Sequence, residues 1–385
     1  MPSVGQGDGL RPVWLGTTET FAGLTPSNEP NTHRASGPGG TGLTRRVFIQ
    51  VLGVGAGVAV ATSARADRIR VLPEVGAGEP AVAGDKVGPE LQRFLDGVPV
   101  GERWAHRGLT VFWLHAPRGG APFAIRTLDE ARARGELSVT ERDQAAVSGL
   151  VIDNRGPVYV LLLAGEILLG GKQHRIVVED VLVPPRSGPL ALPVYCVEQG
   201  RWNSEAKHFT TRGAFAAPQL RSRMLERSDQ REVWAEVDRY AARAAAPSST
   251  GSYQAIYDKA EVQAHQKDVE GALDQRTVAG AQGAAVFVAD TLVGLDLFED
   301  PSLFTREWPK LLRAHALETY GRNPGDKADE RRLRAMLDDV LRAAVGAAGS
   351  VRRGIGVGRL VEFRVDRWRG SALVAEGQVV HVAIL

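Results

Sequence analysis

Residues 147–197, VSGLVIDNRGPVYVLLLAGEILLGGKQHRIVVEDVLVPPRSGPLALPVYCV, decide the fold class. Short runs rich in Val, Ile and Leu stand out: Leu150–Asn154, Val158–Leu163, Ile167–Leu169, Ile176–Val183 and Leu190–Val197. They are separated by Asn154-Arg155-Gly156-Pro157, Gly165, Gly170-Gly171 and the stretch from Pro184 to Pro189. β-Branched side chains pack well on a pleated surface, and the Gly and Pro breaks cut the runs to strand length. The spacing leaves no room for crossover helices, so the strands are expected to pair antiparallel, as hairpins or a sandwich-like sheet.

Upstream, Leu109–His115 has apolar residues on both faces, which predicts a strand buried on both sides. Thr127-Leu128-Asp129-Glu130 has the capping-box pattern and opens a short helix that Gly135 ends. Downstream, Leu220, Met224, Val233, Trp234, Val237 and Tyr240 predict one helix over Ala217–Ala245. A second follows over Ser252–Arg276, and the break from Pro247 to Gly251 makes the pair an αα-hairpin. Strands return at Ala284–Ala289 and Leu292–Leu297. Asp300 as N-cap and Pro301 at N1 open a helix to Tyr320, and another covers Lys327–Ala347. The tail, Leu360–Trp368 and Ala372–Leu385, reads as β with turns at Arg369-Gly370 and Glu376-Gly377. The fold class is therefore α+β: antiparallel hairpins or a sandwich-like sheet, a helical insertion and C-terminal strands. It forms one domain over residues 90–385 behind a linker at 67–89, and the entry over residues 67–107 is expected to be irregular apart from a short helix around Pro89–Leu95.

The chain has 385 residues, 47 Lys+Arg and 45 Asp+Glu, for a formal charge of +2. Five of the basic and three of the acidic residues lie in residues 1–66, which leaves 42 of each sign in the remainder. A neutral body lacks the excess positive charge that a phosphate backbone requires, so nucleic acid is not an expected partner. Residues 1–43, rich in Gly, Pro, Ser and Thr, read as a disordered extension. Residues 44–66 resemble a twin-arginine-type signal: Arg45-Arg46-Val47-Phe48, a mildly apolar run to Ala61, and Ser63-Ala64-Arg65-Ala66 before the expected cleavage point. This implies an exported, soluble protein, periplasmic or extracellular, with the export machinery as a partner. The apolar run is too short and glycine-rich to span a bilayer, and no other stretch qualifies. The single Cys196 can form no internal disulfide.

The densest polar cluster within the β region is Glu166 with Gly170-Gly171-Lys172-Gln173-His174-Arg175. It is echoed by the run from Val194 to Trp202, where alternation puts Val194, Cys196 and Glu198 on one face and Tyr195, Val197 and Gln199 on the other. A carboxylate on the inner face of a strand is costly unless paired, and Arg175 or Arg201 can pair it. Glu166 and Glu198 are the candidate catalytic acid and base. Gln173, Arg175, Arg201 and Trp202 are the candidate ligand-binding residues. The same set also reads as a structural ion-pair network tying hairpins together. Cys196 is a candidate nucleophile with His174 or His208 as base, or else a small buried hydrophobe. The histidines show no H-E-x-x-H spacing, so no metal site is expected. Neither Gly354-Ile355-Gly356-Val357-Gly358 nor Gly170-Gly171-Lys172-Gln173 has the context of a nucleotide loop, and no cofactor is indicated.

These motifs resemble the ARG and rhodanese-phosphatase-superfamily-associated protein domain, a domain of unknown function. The resemblance rests on Thr127–Gly135, on Glu166 with Gly170 to Arg175, and above all on Cys196-Val197-Glu198-Gln199-Gly200-Arg201-Trp202. Gly294-Leu295-Asp296-Leu297-Phe298, Trp308-Pro309-Lys310-Leu311-Leu312 and Gly370-Ser371-Ala372-Leu373 with His381 are similar too. It implies one α+β domain from about residue 90 to the end and brings no established reaction. Two functions fit the residues. One is an exported binding or accessory module whose Glu/Arg-lined cleft holds a small polar or anionic ligand or a peptide. The other is a hydrolase using Glu166 and Glu198, with Arg175 and Arg201 orienting the substrate. Both carboxylates lining one open pocket would favour the enzyme, whereas burial of each in a bidentate Arg pair with no cavity would exclude catalysis by them.

Overall fold

A computed structural model describes residues 82–84, 88–115, 123–146, 149–202, 205–273, 280–322 and 329–385, all within the compact unit Arg65–Leu385. The expected extension and signal at 1–66, and the linker up to residue 81, lie outside the described residues. In chain order the first elements are β1 (Val82–Gly84), α1 (Pro89–Leu95), β2 (Val100–His106), β3 (Leu109–Leu114), β4 (Ile125–Thr127) and α2 (Leu128–Ala133). The β-rich stretch gives β5 (Leu137–Ala146), β6 (Gly149–Asn154), β7 (Tyr159–Leu162), β8 (Ile167–Gly170), β9 (Arg175–Val177), β10 (Val181–Val183), β11 (Pro189–Cys196) and β12 (Phe209–Thr210). Four helices follow: α3 (Pro218–Leu225), α4 (Gln230–Arg243), α5 (Gln254–Asp258) and α6 (Ala260–Gly271). The chain then runs through β13 (Gly283–Val288), β14 (Thr291–Phe298), α7 (Pro301–Ala316) and α8 (Glu330–Val345) to β15 (Gly349–Arg353), β16 (Arg359–Val365), β17 (Trp368–Ala375) and β18 (Gln378–Ile384).

Three sheets result. The largest has the order β1-β15-β16-β17-β18-β14-β13-β3-β2 and is antiparallel throughout. The second is β10-β7-β4, in which β4 and β7 run parallel, and the third is β12-β8-β9-β11-β6-β5. One face of the nine-stranded sheet is covered by α1 and α8, whose Leu91, Leu95, Leu333 and Leu337 pack with Phe112, Phe287 and Leu295. Its other face carries α7, where Phe304, Trp308 and Leu311 meet Val111, Trp113 and Val286, together with Leu161 and Leu182 of the small sheet. β3 is thus buried on both faces, as its sequence predicts. Val160, Leu162 and Val181 fill the space between the small sheet and Ile152, Val177 and Val194 of the six-stranded sheet. The outer face of that sheet is closed by α3, α4 and α5 over Ile176, Tyr195 and Val197. Val194 on one side and Tyr195 and Val197 on the other follow the predicted alternation.

Local signals hold where they are strongest. Thr127 and Glu130 form the reciprocal capping box, and Gly135 takes the left-handed conformation at φ +68°. Asp300 caps α7 through the N–H of Ser302, with Pro301 at N1. Four expectations need correction. The run Ile176–Val183 is two strands, because the chain leaves the six-stranded sheet after Val177 and joins the small sheet at Val181. The helix over Ala217–Ala245 is broken at Arg227 (φ +52°), and Asp229 caps α4 by accepting from the N–H groups of Arg231 and Glu232. Ser252–Arg276 is likewise divided into α5 and α6. The turn expected at Arg369-Gly370 lies instead at Asp366-Arg367, with Asp366 at φ +50°, and Gly370 sits inside β17 because Phe363 occupies the space its Cβ would need. β2, β5 and β15 are additions: their Arg, Glu and Asp residues mask the strand pattern.

Candidate functional site

Where β11 leaves the six-stranded sheet, Cys196 stands opposite Arg175 of β9, and the loops that follow β8 and β11 meet. Glu198 is the centre of this end. Its Oε2 accepts from Nε and Nη2 of Arg201, both at 2.7 Å, and from the N–H of His174 at 3.1 Å. Its Oε1 accepts from the Thr250 hydroxyl at 2.9 Å. Burial alone would raise its pKa, but Arg201, His174 and Thr250 outweigh that and hold Glu198 below the usual carboxylate range. Arg201 also donates to the carbonyls of Gly171 (3.0 Å) and Gly170 (3.1 Å). The same guanidinium therefore neutralises Glu198 and fixes the β8–β9 loop.

Behind this pair, the amide of Gln173 donates to the carbonyls of Glu198 (2.9 Å) and Gln199 (3.3 Å). Arg175 is fully buried, donates to Gln173 Oε1 at 3.3 Å and lies 3.8 Å from Glu141. Cys196 is fully buried, and its Sγ donates to the Glu198 carbonyl at 3.1 Å. Burial pushes the Cys196 thiol up, the opposite of what a reactive thiolate needs. Trp202 ends the loop with 53 % of its surface exposed, and Lys172 Nζ stands 5.2 Å from its ring centre. The structure thus brings Gln173, Arg175, Cys196, Glu198, Arg201 and Trp202 together.

Glu166 is elsewhere. Its carbonyl accepts from the N–H of Val177, which places it level with Val194 of β11. Glu198 lies four residues further along and two strands away, about 13 Å along the strands and about 10 Å across them. Glu166 Oε1 is 2.5 Å from Lys310 Nζ, and that ammonium is also 2.5 Å from Glu307 Oε2. All three residues are buried, with one cation between two carboxylates. Burial raises the Glu166 pKa to about 8, with Lys310 opposing, and burial raises Glu307 as well. The trio therefore retains one proton on its carboxylates at neutral pH.

A second interior network lies on the far side of Phe215, whose ring faces both Lys310 and Arg221. Arg221 of α3 donates to both oxygens of Asp296 of β14, at 2.9 and 2.7 Å. His381 of β18 has Nε2 3.2 Å from Asp296 and Nδ1 2.6 Å from Asp180, whose other oxygen accepts from the N–H of Ala164. A ring flanked by two carboxylates must donate from both nitrogens, so His381 is an imidazolium. Burial works against that charge, but Asp180 and Asp296 overcome it and raise its pKa to about 9. For Asp296, burial is outweighed by Arg221 and the two histidines His315 and His381, and its pKa falls well below the ordinary value. Both carboxylates are paired and closed to solvent.

Sequence reading did not single out this interior network, although a signal was present. Asp296 lies between Leu295 and Leu297, and His381 between Val380 and Val382, each a lone polar residue in an apolar strand. Asp296 faces Ala383 across the β14–β18 ladder, so His381 is its diagonal neighbour on the same face. Among the described residues no group of three or more His, Cys, Asp and Glu is arranged to hold a metal ion. No helix among them is long and apolar enough to cross a membrane.

Three sheets with helices on both outer faces, locked by buried Arg–Asp–His–Asp and Glu–Lys–Glu networks, define an α+β domain. Its identity follows from the family comparison. The model of the ARG and rhodanese-phosphatase-superfamily-associated protein domain matches residues 97–385, and the chain belongs to this family of unknown function. No curated protein and no solved structure matches the chain.

Proposed function

We propose that this chain is an exported binding module that holds a small anionic ligand on the shelf formed by Trp202 and Lys172. The observation that carries this reading is the contrast at that end of the sheet. Both oxygens of Glu198 are occupied internally, by Arg201, the His174 N–H and Thr250, whereas Trp202 is the exposed large hydrophobic residue and the ammonium of Lys172 meets only its ring among the described residues. A rigid support beneath an exposed aromatic and an ammonium with no ion pair among the described residues is suited to binding, with the ring supplying contact area and the ammonium supplying charge. The hydrolase reading would need Glu166 and Glu198 at one substrate bond. Their separate cations and their separation along the sheet support the module instead.

The test is calorimetric titration of a panel of small carboxylates and phosphate esters into the full chain, beside Trp202→Ala and Lys172→Met. Binding that Trp202→Ala weakens about ten-fold or more supports the shelf. Equal binding in all three proteins removes it from the functional account. Export rests on Arg45-Arg46, the apolar run and Ser63–Ala66. It is tested by cell fractionation of the full chain beside Arg45→Lys/Arg46→Lys, which should hold the protein in the cytoplasm. Equal distribution of the two proteins rejects a twin-arginine route.

A further inference from the structure

A cavity of about 440 Å³ lies between α1, the β17–β18 turn and the segment joining β14 to α7. It shares no element with the Trp202 shelf, and its size is that of a small-molecule site. Its apolar wall is Phe94 of α1 and Val379 of β18, both part of the core that packs α1 and α8 on the nine-stranded sheet. The polar side chains around that wall are Glu90, Arg93, Asp96, Glu299 and Gln378. Glu299 projects from the segment between β14 and α7, and Asp96 caps the C-terminal end of α1. Among the described residues neither carboxylate has a hydrogen bond or ion pair, although the backbone carbonyl of Glu299 accepts from Gln282. Gln378 also lines the cavity, with its amide oxygen turned away from the open space. The third carboxylate, Glu90, is paired with Arg359 at 2.9 Å, and Arg93 turns its Nε back to the carbonyl of Pro89 at 3.1 Å.

The lining group withdrawn from water without a cation is therefore the half-buried Glu299 carboxylate, beside an aromatic ring and a valine, whereas Asp96 and Arg93 are exposed. A partly buried carboxylate without a cation is unfavourable. Burial alone pushes Glu299 up to about 7, with no charged neighbour contributing. What such a cavity lacks is a group with several donors, no acceptor and a positive charge, which describes an ammonium. An anion would meet Glu299 head-on, and a neutral apolar ligand would leave that carboxylate without a donor.

We propose that this cavity binds an organic cation, a primary ammonium that pairs with Glu299 while its apolar stem lies on Phe94 and Val379. Pairing favours the ionised carboxylate, so at about pH 6, where most Glu299 carries a proton, binding expels that proton into solvent.

The experiment is titration calorimetry of phenethylamine into the full chain at about pH 6, in two buffers of different ionisation heat. The charge-reversed 3-phenylpropionate serves as the control ligand. Expected are saturable one-to-one binding of the amine, release of most of a proton, and no binding of the acid. Glu299→Gln should weaken the amine at least about ten-fold and abolish proton release. Trp202→Ala should leave it unchanged, which separates this site from the shelf. The Glu299→Gln substitution is isosteric at a half-buried position, and its circular dichroism should match that of the parent. Absence of saturable amine binding, equal binding of the acid, or unchanged affinity in Glu299→Gln each overturns the proposal.

Discussion

Arg221 of α3 and Asp296 of β14 form a two-point hydrogen-bonded ion pair, and both side chains are closed to solvent. Arg221 also donates from Nε to the carbonyl of Ala164, just after β7. One guanidinium thus ties a helix that covers the six-stranded sheet to a central strand of the nine-stranded sheet, and both to the β7–β8 corner. His381 extends the tie through Asp180 to the segment between β9 and β10. Directional, desolvated pairs of this kind fix the register between layers, which apolar contacts alone do less sharply.

Removing one partner leaves the other charge buried without compensation. Asp296→Ala is expected to cost about 3–5 kcal/mol, read as a lowered urea midpoint. The double variant Arg221→Met/Asp296→Leu should lose much less than the sum of the two single changes, because no orphaned charge remains. Additive losses would show that the two side chains act independently.

The pH dependence of stability has a definite sign. His381 has a folded pKa of about 9 against an ordinary value of 6.5. Its contribution is therefore fully present below about pH 6.5 and is lost as pH rises through about 9. Glu166, raised from 4.5 to about 8 by burial, slopes the same way: its contribution is full below its unfolded value and gone above about pH 8. Urea midpoints should fall between about pH 7 and about pH 10, and His381→Gln should flatten the upper part of that fall. A midpoint that rises over this range would contradict the charged His381.

Lys310 and Glu166 are expected to respond unequally. Glu166→Gln keeps one carboxylate, Glu307, against Lys310 and so preserves a neutral pair. Lys310→Met leaves two buried carboxylic acids with no cation between them. It should cost about 3–5 kcal/mol near neutrality, and its penalty should grow with pH as both acids are driven to ionise. Chemical denaturation of both variants at several pH values checks this, and a pH-independent penalty for Lys310→Met would argue against the shared-proton trio.

Legibility in the sequence followed the range of the interaction. The capping box at Thr127, the Asp300-Pro301 start of α7 and the short strands between Leu150 and Val197, apart from the divided run Ile176–Val183, depend on neighbours within a few residues and appear where the sequence places them. The cluster of Gln173, Arg175, Cys196, Glu198 and Arg201 was also legible, because β9 and β11 lie within about 20 residues of each other and pair directly. Glu166 was misleading, since its partners Lys310 and Glu307 come from a helix more than 140 residues away. His381, Asp180, Asp296 and Arg221 were hidden for the same reason: no single segment contains two of them. The split of Ala217–Ala245 rests on the left-handed Arg227, a conformation that residue type does not announce.

Gly171 is expected to control the Trp202 shelf from a distance. It has φ +52°, and an added Cβ would fall onto the ring of Phe209. Gly171→Ala therefore combines an unfavourable left-handed alanine with overpacking against a fully buried aromatic, and should cost about 1–3 kcal/mol. The carbonyls of Gly170 and Gly171 are also the acceptors that hold Arg201, and Arg201 precedes Trp202. Displacing this loop should loosen the Arg201–Glu198 pair as well as lower global stability. Native-state hydrogen exchange separates the two effects. The His174 amide, which donates to Glu198, should lose protection by more than the global loss, whereas amides in β17 and β18 should follow the global change alone. Uniform loss of protection across the chain would show that Gly171 serves packing only and that the shelf does not depend on it.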